Sequence, residues 1–219
     1  MNIAIDCDEV ILDTTPAVRE FYISLHPDTF IPENEYSGNW TVFGPDAAAH
    51  AANWRAFIDD FANTENFARI PPLPGAVEYI RQLKRDGHRI FVLSSISNDA
   101  AVCDRRAAYL EKTIGPGVID RVVCITLATS KKEELRRNNA DILIDDTIRN
   151  IDDAIDMGIH AILFKCKENA KIIRAMQCGE TQKFPHAFFQ QFDSAKVCTN
   201  ALIADGWPSV VEIVRSIKN

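Results

Sequence analysis

The apolar positions of this chain fall into short runs that end abruptly in polar groups. The first ten residues set the pattern: Ile3-Ala4-Ile5 breaks into Asp6 and Asp8, one residue apart. Residues i and i+2 of an extended strand point the same way, so both carboxylates would face one pocket at the strand's carboxyl end. Asp13-Thr14-Thr15-Pro16 then predicts a helix entry, with a hydroxyl N-cap and proline at the first helical position. Val18, Phe21, Tyr22 and Leu25 follow at helical spacing. Residues 26 to 46 are rich in Pro, Gly, Asn and Asp and read as loop. A second helical stripe comprises Ala47, Ala51, Trp54, Phe57, Ile58 and Phe61. Residues 14 to 70 are thus helical and aromatic, and they predict a small inserted domain. Residues 1–13 and 71–219 would form the core domain.

After Ile70-Pro-Pro-Leu-Pro-Gly75 the pattern alternates. A helix through Val77, Ile80 and Leu83 ends at Gly87, and Arg89–Leu93 reads as a strand. A helix near 99 to 112 precedes the strand Arg121–Thr126. A short helix from Lys131 leads to the strand Asp141–Asp145, and helix 148 to 157 leads to the strand Ile159–Phe164. Apolar strands alternating with helices predict a parallel sheet covered on both faces, an α/β doubly wound fold with its ligand crevice at the strands' carboxyl ends. Residues 165 to 206 hold an aromatic cluster (Phe184, Phe188, Phe189, Phe192) and a candidate strand, Lys196 to Thr199. Trp207-Pro208 opens a last helix.

Composition narrows the function classes. At 219 residues and 47% hydrophobic content the chain can bury a substantial core. Its net charge of -7 comes with scattered basic residues, so no face is built for a nucleic-acid polymer. A small phosphorylated ligand stays open, because a local cation can outweigh a modest global repulsion. No signal peptide and no apolar run of membrane-spanning length are visible. The six cysteines never form a Cys-x-x-Cys pair, which favours a reducing cytoplasm. A zinc site from Cys166, Cys178, His186 and Cys198 is disfavoured, since structural zinc spacings are tighter. The sequence leaves a homodimer open.

Candidate chemistry gathers at the strand ends. The first ends in Asp6 and Asp8, the second in Ser94-Ser95, and the fourth in Asp145-Asp146; Ser130-Lys131-Lys132 follows the third. In a doubly wound sheet all four ends open onto one crevice. Each group has an ordinary alternative: a turn serine, a solvated lysine, or an N-cap aspartate contributing about 1 kcal/mol. Two carboxylates about 4 Å apart, however, repel by roughly 4 kcal/mol at an effective dielectric near 20. Three cost more than a cap returns. Such a cluster persists most easily around a cation, and all-oxygen ligation suits Mg²⁺.

These stretches resemble the haloacid dehalogenase-like phosphohydrolase superfamily. Asp6-Cys-Asp8-Glu-Val-Ile-Leu-Asp13 resembles its first motif, Phe91-Val-Leu-Ser94-Ser95 the second, Lys131 the third, and Ile142-Leu-Ile-Asp145-Asp146 with Asn150 the fourth. The first motif often carries glycine where this chain has Glu9. Spacing is compatible with Lys132 as well; Lys131 is preferred because it directly follows Ser130, the expected N-cap. The resemblance implies Asp6 as nucleophile and Asp8 as acid and base, with Ser94 and Lys131 binding the phosphoryl group and Ser95 beside it. It implies Mg²⁺ on the side chains of Asp6 and Asp145 and the backbone carbonyl of Asp8, with Asp146 orienting a metal-bound water or Lys131.

Within the superfamily, Asp-x-Asp-x-Val near the N-terminus, a helical cap and Leu-Ile-Asp-Asp-x-x-x-Asn most resemble the 5'(3')-deoxyribonucleotidases. That implies a nucleoside monophosphate whose base stacks on cap aromatics. Trp40, in a Gly-Asn-Trp loop, is the best placed of Trp40, Phe43, Trp54 and Phe57; helical spacing assigns Trp54 and Phe57 to a cap core. Alternatives are a phosphatase for another small phosphoester such as a sugar phosphate, and a non-catalytic binding relative. A phospho-receiver module is disfavoured by motif order, and a dehalogenase by the presence of Asp8.

Overall fold

The computed structural model describes residues 1–31, 41–44, 46–127, 129–167, 169–177 and 194–218. Among them, six strands form one parallel sheet: β1 (Asn2–Ile5), β2 (Arg89–Ile96), β3 (Arg121–Thr126), β4 (Ile142–Asp145), β5 (His160–Phe164) and β6 (Leu202–Ala204). Their order is β3-β2-β1-β4-β5-β6. The chain therefore winds outward from β1 through β2 and β3, then returns to β4 on β1's other side. That reversal puts the topological switch between β1 and β4, where a ligand crevice is expected. The register pairs Ile5 with Ile144 and with Val92, so the residues just beyond these strands emerge side by side.

Alternation along the strands sorts the core into two layers. Ile3, Ile5, Ile90, Val92, Ile142, Ile144, Ile162 and Phe164 face one side, against α3 (Ala76–Arg85), α4 (Ala100–Ile114) and α9 (Trp207–Lys218). Ala4, Phe91, Leu93, Leu143, Ala161 and Leu163 face the other, against α5 (Lys132–Arg137), α6 (Ile148–Asp156), α7 (Ala170–Gln177) and α8 (Ser194–Asn200). Both faces are buried, which is why these strands read as unbroken apolar runs. Gly87 (φ +85°) and Gly158 (φ +71°) stop α3 and α6 in the left-handed conformation that closes a helix.

Between β1 and α3 lie α1 (Thr14–Leu25), a 3-10 turn at Thr41–Phe43, α2 (Ala47–Ala62) and a second 3-10 turn at Asn66–Arg69. Asp46 caps α2, accepting from the backbone N–H groups of Ala48 and Ala49. Tyr22, Phe43, Trp54 and Phe57 pack ring against ring, with centroids 5.1 to 6.1 Å apart. Phe43, Trp54 and Phe57 are therefore committed to this segment's own core, which continues into the sheet's.

Several expected details differ. Helix α1 starts at Thr14 behind the N-cap Asp13, which places Pro16 third in the helix; the first four N–H groups lack intrahelical partners, so the ring is tolerated there too. Ala51 is exposed, because the buried stripe of α2 begins at Trp54. Lys196 to Thr199 is helical, within α8, and the strand follows it at Leu202–Ala204. Strand β2 runs on through Ser94 and Ser95 to Ile96. Ser130 precedes the N-cap by one residue, although its hydroxyl still accepts from the Lys132 N–H at 3.2 Å. Trp40, Cys178, His186 and the cluster Phe184, Phe188, Phe189 and Phe192 lie outside the described residues.

The C-terminal helix is tied to the first loop. The buried Trp207 indole donates to the Val10 carbonyl at 2.9 Å and rests against Phe164. Replacing Trp207 with Phe keeps most of the apolar contact but leaves a buried carbonyl unpaired, at about 1–3 kcal/mol. Urea denaturation should show that loss, and a midpoint unchanged from wild type would remove Trp207 as the loop's anchor.

Candidate active site

Asp6 leaves β1 with its N–H still donating to the Ile144 carbonyl at 2.9 Å, so the strand geometry carries it to the switch point. The next residues turn sharply. The Cys7 carbonyl accepts from both Ile11 and Leu12 N–H, and Glu9 donates back to Leu12. Glu9 takes the left-handed conformation (φ +59°) that glycine would adopt more cheaply. Its side chain offsets that cost: the carboxylate accepts from the Thr15 N–H at 2.6 Å, supplying the cap that Asp13 does not give α1.

Asp8 is held on both oxygens. Its Oδ1 accepts from the Thr14 hydroxyl at 2.6 Å and from Arg106 Nη2 at 3.0 Å, while Oδ2 accepts from the Ser94 hydroxyl at 3.2 Å. Ser94 is wholly buried. Ser95 lies on the opposite strand face, with Phe91 and Leu93, and makes no hydrogen bond to the acidic cluster among the described residues.

Lys131, at the N-cap of α5, has no exposed surface; its ammonium bridges Asp6 Oδ1 at 2.6 Å and Asp145 Oδ2 at 2.7 Å. Lys132 points outward to Asp153 and Asp156, so geometry separates the two lysines that spacing left open. Asp145, at the end of β4, also accepts from the Thr147 N–H and from Asn150 Nδ2. Asp146 is buried beside it, its carbonyl accepting from Asn169 Nδ2 at 2.9 Å. Asn169 donates to the Phe164 carbonyl as well, which stitches the loops after β4 and β5 together.

Carboxylate oxygens of Asp6, Asp145 and Asp146 lie within 4.8 Å of one another. Asp8 is outside this side-chain set. Four carboxylates (Asp6, Asp8, Asp145, Asp146) gather near the Lys131 ammonium and the Arg106 guanidinium. The donors within this cluster are all hard oxygens, which suit a divalent cation. Burial, reinforced by Asp145 and Asp8 against the opposing pull of Lys131, pushes the Asp6 carboxyl up to about 7. Burial works against the Lys131 ammonium, yet Asp145 and Asp6 together hold its proton above the ordinary lysine value. Burial likewise pushes the Cys7 thiol far up, so it stays neutral and unreactive.

Sequence reasoning missed Arg106. It sits on the buried stripe Val102–Arg106–Leu110–Ile114 of α4, and a charged residue at that spacing was the available signal. Spacing marks Thr14 only as part of a helix entry, yet its hydroxyl also donates to Asp8.

Solved structures that share this fold include haloacid dehalogenase-like hydrolases. A haloacid dehalogenase-like hydrolase from Streptococcus pneumoniae superposes with a TM-score of 0.60 at 11% identity, covering 97% of each chain. L-2-haloacid dehalogenase from Xanthobacter autotrophicus gives 0.58 at 8%, covering 99% of this chain and 98% of that one. D,D-heptose 1,7-bisphosphate phosphatase from B. bronchiseptica, complexed with magnesium and phosphate, gives 0.52 at 13%, covering 99% of each. The fold class is therefore that of the haloacid dehalogenase-like hydrolases. No curated protein matches the sequence. The profile of the family described as 5' nucleotidase, deoxy (pyrimidine), cytosolic type C matches residues 1–184, and the chain belongs to that family. It is a nucleotidase-like phosphoric monoester hydrolase. No helix among the described residues is long and apolar enough to cross a membrane.

The raised Asp6 carboxyl has a thermodynamic consequence. An unfolded aspartate titrates near 3.8, so between about pH 4 and pH 7 the metal-free fold binds a proton that the unfolded chain releases. This group's contribution to stability is full below that window and is lost as pH rises through about 7. A cation binding there displaces the same proton, so its affinity rises over the same range. Thermal unfolding with and without excess MgCl₂ should show a stabilisation that grows from about pH 5 to about pH 8. A magnesium shift independent of pH would remove Asp6 from the cation's ligands.

Proposed function

We propose that this protein is a Mg²⁺-dependent phosphomonoesterase that works through an aspartyl-phosphate intermediate on nucleoside 5'-monophosphates. The observation that carries the reading is the Lys131 ammonium between Asp6 and Asp145, with Asp146 adjoining and Asp8 held by Ser94 on the neighbouring strand. Asp6, as carboxylate, attacks phosphorus in line; the bond from phosphorus to the leaving oxygen breaks, and that oxygen takes a proton from Asp8. Water then attacks the aspartyl-phosphate, gives its proton to Asp8, and the bond to Asp6 breaks to release phosphate. Lys131 and Ser94 donate to the phosphoryl oxygens, where fixed positive charge and donors stabilise the transferring group. The ion would be held by the side chains of Asp6 and Asp145 and the backbone carbonyl of Asp8, with Asp146 alongside. Its chemistry there is to neutralise charge on the phosphoryl oxygens.

The nucleotide assignment follows from membership of a cytosolic deoxy 5' nucleotidase family, which also supports a cytoplasmic location. Residues 14–70 then act as the cap over the crevice, and residues 1–13 and 71–219 as the core. Phe43, Trp54 and Phe57 are spent within the cap, so base stacking falls to Trp40 in this reading.

Phosphate release from a panel of nucleoside monophosphates and sugar phosphates, with and without Mg²⁺, tests the proposal. Turnover of dUMP or dTMP should require the ion. The Asp6→Asn variant should remain folded and lose about three orders of magnitude or more in turnover. Full activity in that variant would remove Asp6 as nucleophile, and a sugar phosphate preferred well over both nucleotides would discard the substrate assignment.

A further inference from the structure

Arg106 is wholly buried on α4, and nothing in the mechanism above employs it. Its guanidinium divides its contacts: Nη2 donates to Asp8 Oδ1 at 3.0 Å, and Nη1 lies 3.3 Å from Cys7 Sγ. The plane lies over the Phe67 ring, with its central carbon 4.1 Å from the ring centroid. Phe67 belongs to the 3-10 turn through which the inserted segment returns to the core. The same stretch of α4 fastens that return at two more points. Arg105 donates to the Ala62 carbonyl and Asn63 Oδ1, both at 2.9 Å, and the Tyr109 hydroxyl donates to the Ile70 carbonyl. Arg106 is thus the member of this face that reaches past the return segment to the acid.

The donor inventory at Asp8 says what that reach accomplishes. Thr14 and Arg106 together occupy Oδ1. Arginine cannot give up its proton and cannot accept one, so Oδ1 faces a donor in every state of the enzyme. A proton carried by Asp8 then belongs on Oδ2, whose neighbour at 3.2 Å, the Ser94 hydroxyl, can accept as well as donate. We propose that Arg106 is a positioning residue: by holding Oδ1 it commits proton transfer to Oδ2, and through Phe67 it ties that orientation to the seating of the cap's return segment. This deepens the phosphatase reading and rests on Asp8 serving as its acid. A buried arginine kept only for packing or charge balance would affect all substrates alike.

Leaving-group dependence separates the two. The nitrophenolate of 4-nitrophenyl phosphate departs without a proton, whereas an alkyl oxygen needs one, and kcat/KM reports the steps up to formation of the aspartyl-phosphate and not its hydrolysis. Wild type and Arg106→Met are compared on 4-nitrophenyl phosphate and on the alkyl monoester turned over best in the panel, in the presence of Mg²⁺. The variant should lose about a hundredfold or more in kcat/KM on the alkyl ester and less than about fivefold on the aryl ester. Arg106→Lys should fall between, since one ammonium cannot reproduce the planar fork that reaches Asp8 and Cys7 together. Equal losses on both esters, or none on either, overturn the proposal. If Arg106→Met does not fold, the ratio is read on Phe67→Leu: a selective loss on the alkyl ester supports the coupling, and a uniform or absent loss overturns it. Failure of the phosphatase reading itself shows earlier, as wild type inert on both esters or Asp6→Asn as active as wild type.

Discussion

The buried ammonium of Lys131, shared by Asp6 and Asp145, is the contact on which the site depends. An ion held this far from water is stable only while paired, and deleting one partner of such a pair typically costs about 3–5 kcal/mol. The pairing also constrains the fold. It joins the ends of β1 and β4 to the start of α5, elements brought together where the strand order reverses between β1 and β4. One lysine does not neutralise the cluster, and burial, reinforced by Asp145 and Asp8, keeps the Asp6 carboxyl proton-bound up to about pH 7. The site is thus tense as a set of protein groups alone, and its hard oxygen donors fit a divalent cation.

Around that centre the loop from Cys7 to Asp13 is fixed from several directions. Glu9 accepts a left-handed backbone and caps α1 with its side chain; Trp207 holds the Val10 carbonyl from the far end of the chain. Asp13 N–H donates to the Pro71 carbonyl and Leu73 N–H to the Ile11 carbonyl, so the two crossings between core and insertion lie against each other. Asp8 therefore sits where β2, the first helix of the insertion and α4 each send a donor to the loop after β1. A position held by donors from three elements loses little entropy when substrate arrives, which is the use of preorganisation in a phosphoryl-transfer site.

Much of this was legible from one-dimensional pattern. Strands buried on both faces produce apolar runs such as Ile142-Leu-Ile, and helices buried on one face produce stripes such as Val77, Ile80 and Leu83; neither needs knowledge of a partner. The region from residue 165 onward was harder. The Lys196–Thr199 stretch has β-branched and sulfur residues that score as strand, yet only Val197 is buried against the sheet layer while Lys196 pairs with Asp152 and Asp156 of α6. That pairing across to α6 is tertiary, so local propensity does not reveal it.

By itself the sequence determined which residue types end the strands, and hence that acids, a serine and a lysine would converge on one rim. Strand direction and helix crossover follow from local periodicity and chain handedness, so that much needs no coordinates. Only the tertiary structure decided between Lys131 and Lys132, because adjacent residues at a helix start differ by about 100° in direction and only one can face inward. The same reason hid Arg106: its charge is ordinary until packing removes water from around it and sets Asp8 within reach. Spacing along a chain reports which face a residue occupies, whereas the partner on the other side of that face exists only once the chain has folded.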